Sequence, residues 1–187
     1  MFRAEAVRDG APVAVKVFRA GRQYEGAVGR ERQVLNRFPA EPNIVTCLAA
    51  LPHRQTNCLV LELLGENIRQ IIFRNQRRGL SAWATATFAR DLLTGLASLH
   101  AAGIVHGDLK PANILWCGQT GAFKLIDFGL SFRVSEEEVH QVQSSGYRAP
   151  EAAAWNDHKE RQKQRRKRKL KGGMKLLRKL SSPPKGR

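Results

Sequence analysis

The run His106-Gly107-Asp108-Leu109-Lys110-Pro111-Ala112-Asn113, followed by Asp127-Phe128-Gly129 and then by Ala149-Pro150-Glu151, constrains this chain more than any other feature. Either of the first two triplets alone can arise by chance in a loop. All three in this order, with the first run intact, are hard to reconcile with chance. Within one short loop the run sets a carboxylate, an ammonium two residues later, and a carboxamide. Ile114-Leu115-Trp116 and Phe123-Lys124-Leu125-Ile126 predict a β-hairpin around Gly118 and Gly121, which delivers a second carboxylate, Asp127, at its end.

Upstream, Val13-Ala14-Val15-Lys16-Val17-Phe18 alternates as a strand does, with Lys16 on the face of Ala14. Cys58-Leu59-Val60-Leu61-Glu62-Leu63-Leu64 reads as an apolar strand entering a linker. Ser81 caps a predicted helix from about Ala82 to Ala101. Phe88, Leu92, Leu96 and Leu99 fall at i, i+4, i+8 and i+11 and make one apolar stripe, which Trp83, Leu93 and Ala97 widen.

From Lys16 to Glu151 the chain resembles the serine/threonine protein kinase family. The segments that carry the likeness are Ala89-Arg90-Asp91-Leu92-Leu93, the three strings above, Asn113-Ile114-Leu115-Trp116, the stretch Phe123–Phe132 and Gly146-Tyr147-Arg148. The likeness is greatest to kinases that join the catalytic domain to a C-terminal RNA-recognition-like module, although no signature of that module is present here. The resemblance implies a two-lobed α+β fold, with residues 1–64 as the N-lobe and 65–151 as the start of the C-lobe. It implies ATP and Mg2+ as cofactors and a protein as substrate.

By the same resemblance, Asp108 accepts the proton of an attacking hydroxyl and Lys110 neutralises charge on the transferred phosphoryl group. Asn113 and Asp127 hold magnesium. Lys16 contacts the nucleotide phosphates, and Gly29–Leu35 lies in the helix that supplies its partner, Glu31, with Glu25 as the competing carboxylate. Ala14 and Leu115 form the ceiling and floor of an adenine slot. Leu61 stands as gatekeeper, and backbone groups of Glu62 and Leu64 bond the adenine edge. Ser144 takes the place of the threonine that bonds the catalytic aspartate and lysine. Gly107 replaces an arginine that pairs with an activation-loop phosphate, so activity is expected not to depend on that phosphate. Ser131, Ser135 and Ser145 are phosphosite candidates.

Two departures bear on completeness. No G-x-G-x-x-G precedes Lys16, and no Asp-x-Trp-Ser-x-Gly-like helix follows Glu151. The kinase domain is therefore expected to be incomplete at both ends, leaving the stripe through Phe88, Leu92 and Leu96 without an obvious partner and Glu151 without an arginine. This makes the activity of the chain an open expectation. The alternatives are a catalytically inactive fragment acting as a binding module, or a basic nuclear RNA-associated protein.

The 187 residues are 42% hydrophobic, which suits one domain with a core, and carry a formal net charge of +16. Residues 158–187 hold 14 Lys and Arg against one Glu, so the globular part is nearly neutral. Residues 152–187 read as a basic, disordered tail, available to a polyanion or a nuclear import receptor or simply solvated. Localisation is expected to be nuclear or cytoplasmic, with the tail favouring the nucleus. Cys47, Cys58 and Cys117 lack metal-site spacing and read as small apolar residues. There is no signal peptide and no membrane-spanning run, so no membrane partner is expected.

Overall fold

The computed structural model describes residues 1–19, 21–53, 56–136 and 142–180. In chain order its elements are β1 (Phe2–Glu5), β2 (Pro12–Val17), α1 (Arg22–Arg37), β3 (Cys47–His53), β4 (Thr56–Glu62), α2 (Ile68–Arg74), α3 (Ala82–Ala101), β5 (Ile104–Val105), a 3-10 turn (Pro111–Asn113), β6 (Ile114–Cys117), β7 (Ala122–Leu125), β8 (Phe132–Arg133) and α4 (Pro150–Leu180). Strands β1, β2, β4 and β3 form one antiparallel sheet in that order, while β5–β8 and β6–β7 are separate two-stranded ladders.

β-Branched residues alternate along β2, and the strand pairs with β4 so that Ala14 lies opposite Leu61 and Lys16 opposite Leu59. Helix α1 buries Val28, Glu31, Val34 and Leu35, an i, i+3, i+6, i+7 face. One apolar core continues from this sheet through Ile44, Val45 and Leu59 to Leu99, Ile114, Leu125 and Phe128. The two parts of the α+β fold thus share a core, and the catalytic strings sit along it.

Helix α3 forms over the predicted residues, and the Ser81 hydroxyl accepts from the Ala84 N–H at 3.2 Å as an N-cap. Its apolar stripe finds partial cover. Phe88, Leu92 and Leu96 pack against the core, and the Phe88 ring meets Phe123 edge-on at 5.7 Å. The β6–β7 hairpin, local in sequence, supplies the partner of Phe88, while Leu96 lines a cavity with Val105, His106 and Trp155. The deepest face runs through Thr87, Asp91, Gly95 and Leu99, while Trp83 and Leu93 stay 73% and 65% exposed. Gly95 is needed there, because an added Cβ would stand 2.9 Å from the Asn43 carbonyl oxygen.

The disorder expected over residues 152–187 does not hold as far as Leu180, since residues 150–180 form one helix, α4. Pro150 starts it, Ala152-Ala153-Ala154 and many Lys, Arg and Gln residues favour it, and Ala152 and Asn156 are buried against the rest of the fold. Residues 181–187 of that predicted tail lie outside the described residues. Cys58 and Cys117 are buried thiols and Cys47 is a half-buried one. No helix among the described residues is long and apolar enough to cross a membrane.

Candidate active site

The loop between β5 and the 3-10 turn is held from both sides. His106, buried beside the Phe128 ring at 5.0 Å, donates through Nε2 to the Ile126 carbonyl at 3.1 Å, and its Nδ1 accepts from the Asp108 N–H at 3.2 Å. This pattern needs a neutral imidazole, and burial pushes the ring's pKa below its ordinary value, which keeps it neutral. His106 thereby ties the loop to the residue before Asp127.

Gly107 has φ 77, and an added Cβ there would run into the Leu130 carbonyl. No side chain fits, so the arginine position noted in the sequence is closed by the backbone crossing it.

Asp108 is 5% exposed. Its Oδ2 accepts from Lys110 Nζ at 2.6 Å and from Asn113 Nδ2 at 3.2 Å, and its Oδ1 accepts from the Ser144 N–H at 2.9 Å. Lys110 also donates to Ser144 Oγ at 2.7 Å. Burial works to raise the Asp108 carboxyl, but Lys110 and Ser144 outweigh it and hold the group below the usual carboxylate range. Such a carboxylate is a poor free base and a good fixed acceptor, which can orient a hydroxyl. The structure brings Ser144, Lys110 and Asp108 together as the sequence expects.

Asn113 donates to the Asp108 carbonyl at 2.9 Å as well, so its amide nitrogen is committed and its side-chain oxygen remains as the ligand atom. The Ile126 N–H donates to the Asn113 carbonyl at 3.0 Å, which sets Asp127 beside Asn113. Asp127 has φ 64, a left-handed conformation that aspartate tolerates better than most residues, and its side chain is 41% exposed.

Lys16 donates to both oxygens of Glu31 at 2.7 Å and to Asp127 Oδ1 at 2.9 Å. Of the two carboxylates offered by the sequence, Glu31 is the one bonded; the side chain of Glu25 lies outside the described residues. Burial opposes the Lys16 ammonium, but Glu31 and Asp127 more than compensate and raise its pKa. Glu31 is 1% exposed; burial pushes its carboxyl above the ordinary value, and the Lys16 ammonium, bonded to both of its oxygens, opposes that shift.

Ala14 is buried opposite Leu61, whereas Leu115 is half-buried on β6, outside that core. The Glu62 N–H already donates to the Thr46 carbonyl at 3.1 Å, which leaves the Glu62 carbonyl as its group for a base edge. Past Leu64 the linker folds onto β6, with the Gly65 N–H donating to Trp116 at 2.8 Å.

Several side chains that hold this frame had no role assigned to them from the sequence. The Glu62 carboxylate accepts from the Thr46 N–H and from Lys124 Nζ, both at 2.7 Å, and joins β4 to β7. Asp91 accepts from the Phe123 N–H at 2.9 Å, and Asn43 donates to the Phe123 carbonyl at 2.9 Å. A charged residue on the buried face of an otherwise apolar helix is the signal that could have found Asp91.

Among the described residues, no three His, Cys, Asp or Glu side chains group as a closed metal site. Asn113 and Asp127 instead offer two hard oxygen donors, which fits magnesium completing its shell with water and phosphate oxygens.

Comparison with known sequences agrees with this geometry. The family model described as the protein kinase domain matches residues 1–165. Serine/threonine-protein kinase Kist of Homo sapiens is 42% identical over 132 residues, 68% of this chain and 32% of that protein. Serine/threonine-protein kinase ppk5 of Schizosaccharomyces pombe is 36% identical over 148 residues, 76% of this chain and 18% of that protein. Cyclin-dependent kinase D-1 of Arabidopsis thaliana is 32% identical over 158 residues, 81% of this chain and 39% of that protein. The chain thus spans well under half the length of each of these relatives.

Proposed function

The chain belongs to the protein kinase family, and from that premise we propose that it transfers the γ-phosphoryl group of ATP to a serine or threonine hydroxyl of a protein. The observation that carries this reading is the single bonded cluster of Asp108, Lys110, Asn113 and Ser144, lying beside the Lys16–Glu31–Asp127 set.

Phosphoryl transfer leaves little covalent work to the protein, so positioning and charge dominate. Asp108, fixed by three donors, orients the attacking hydroxyl and receives its proton as the new O–P bond forms. Lys110, bridging Asp108 and Ser144, faces the charge on the transferred group. Lys16, held by Glu31, binds the phosphates of the nucleotide, and the γ-phosphoryl leaves with the bridging electrons remaining on ADP. Magnesium, when bound through Asn113 and Asp127, supplies charge neutralisation across the phosphates. Ala14 and Leu61 give the adenine an apolar wall, and the Glu62 carbonyl accepts from its edge.

The test is phosphorylation of a serine/threonine peptide library by the intact chain with ATP and magnesium, read as phosphoserine and phosphothreonine by mass spectrometry. Replacing the proton acceptor in Asp108→Asn is expected to lower the rate by roughly 10²- to 10⁴-fold. Undiminished transfer in that variant would remove Asp108 from the reaction.

A further inference from the structure

Helix α4 meets the catalytic region through Asn156, on its second turn and 4% exposed. Asn156 Oδ1 accepts from the Val142 N–H at 3.0 Å, and Asn156 Nδ2 donates to the Val142 carbonyl at 2.7 Å. A carboxamide bonded to both polar groups of one residue acts as an extra strand would: it fixes that residue's height and its orientation. The Val142 side chain is itself buried.

The residues after Val142 lead directly to the catalytic loop. Gln143 has φ 61, a left-handed conformation that a glutamine adopts only when its surroundings hold it there. The Gln143 N–H donates to the Gly107 carbonyl at 2.7 Å, its Oε1 accepts from the Ala149 N–H at 2.7 Å, and its carbonyl accepts from Arg148 Nη2 at 2.9 Å. Ser144 comes next, with its N–H on Asp108 Oδ1 and its hydroxyl on Lys110. Asp108 therefore stands two peptide units and one hydrogen bond from the residue that α4 grips.

We propose that Asn156 is a positioning residue for phosphoryl transfer: its carboxamide grips Val142 from α4, and through Gln143 and Ser144 that grip sets the orientation of Asp108. The proposal rests on the reading of Asp108 as the hydroxyl-orienting group. Without Asn156, Val142 has two buried backbone groups to satisfy and Gln143 loses the anchor on its N-terminal side, so the segment relaxes and carries the Ser144 N–H off Asp108.

The test uses the full chain carrying Asn156→Ala or Asn156→Asp, the latter equal in shape but unable to donate to the Val142 carbonyl. In both, kcat is expected to fall by roughly 10- to 100-fold, the scale of a misplaced catalytic group, while KM for ATP stays at its wild-type value because Lys16 and Glu31 are untouched. A second readout needs no turnover. The Ser144 N–H, which donates to Asp108 Oδ1 at 2.9 Å, should exchange with solvent faster and shift in the amide NMR spectrum of the variants. A merely structural role would lower the melting temperature and leave the Ser144 amide signal in place.

An unmoved Ser144 amide in either folded variant, or wild-type kcat in Asn156→Ala, overturns the proposal. If Asn156→Ala does not fold, Asn156→Asp decides by the same amide. If the wild-type chain shows no transfer at all, the proposed function fails, and the Ser144 amide still decides the tie between Asn156 and Asp108.

Discussion

Helix α3 buries Thr87, Asp91, Gly95 and Leu99 along its length, whereas α4, among the described residues, buries Ala152 and Asn156 near its start and leaves Arg161, Lys163 and Arg165 in water. The α3 sequence is nearly devoid of charge, and the helix is held by what the β6–β7 hairpin and Asn43 place against it. Beyond Asp157, among the described side chains, α4 is held by its own i,i+4 contacts, Lys159 over the Trp155 ring and Gln162 with His158, and like charges four apart, such as Arg161 with Arg165 and Lys163 with Lys167, work against it. One helix is therefore part of the cooperative fold throughout. The other joins it through its first two turns and lies in water from Arg161 to Arg165. The first two turns matter to the site, because Asn156 is among them.

Breaking α3 at its deepest point should give the largest change. Leu99 is fully buried where α3 meets the core, so Leu99→Ala is expected to cost about 2–5 kcal/mol in denaturant unfolding. A loss well under 1 kcal/mol would mean that α3 is not packed as described. Gly95→Ala tests close approach instead of cavity formation. The added methyl meets the Asn43 backbone, which can yield only by moving the turn before β3, and a loss of about 1–3 kcal/mol is expected. Deleting residues 161–187 should matter least, changing stability by no more than about 0.5 kcal/mol. Added salt should raise helix content in the intact chain and not in the shortened one, because it screens the basic repulsion. A large melting shift on deletion would show that the distal part of α4 packs on the fold.

Chemistry was the most legible layer of this chain. Asp108, Lys110, Asn113 and Asp127 lie close in sequence and the hairpin returns the last of them, so their order nearly dictates their meeting. Lys16 and Glu31 come from different elements, and it took the family resemblance to propose their pairing, with Glu25 left as the alternative; the bond to Glu31 is seen in the fold. Gly107 was read as a missing arginine, but its requirement comes from the Leu130 carbonyl crossing over it, a contact between loops that no local pattern encodes. The buried face of α3 lies one residue away from its apolar stripe, because Asp91 and Thr87 are buried by bonding and close packing more than by hydrophobicity. Asn156 fell inside a region judged by its charge, and the composition beyond it hid the turn that holds Val142. Nothing in the identities of Glu62 and Lys124 announced that they would join β4 to β7.

The central claim is that Lys16, Asn113 and Asp127 form a preorganised site for a magnesium–nucleotide complex. Calorimetric titration of the intact chain with ATP, with and without magnesium, tests it most directly. ATP should bind more tightly when magnesium is present, and Asp127→Asn should lose that magnesium dependence because a metal-facing carboxylate is gone. Binding that is indifferent to magnesium in the wild type, or a magnesium effect that survives intact in Asp127→Asn, would contradict the account.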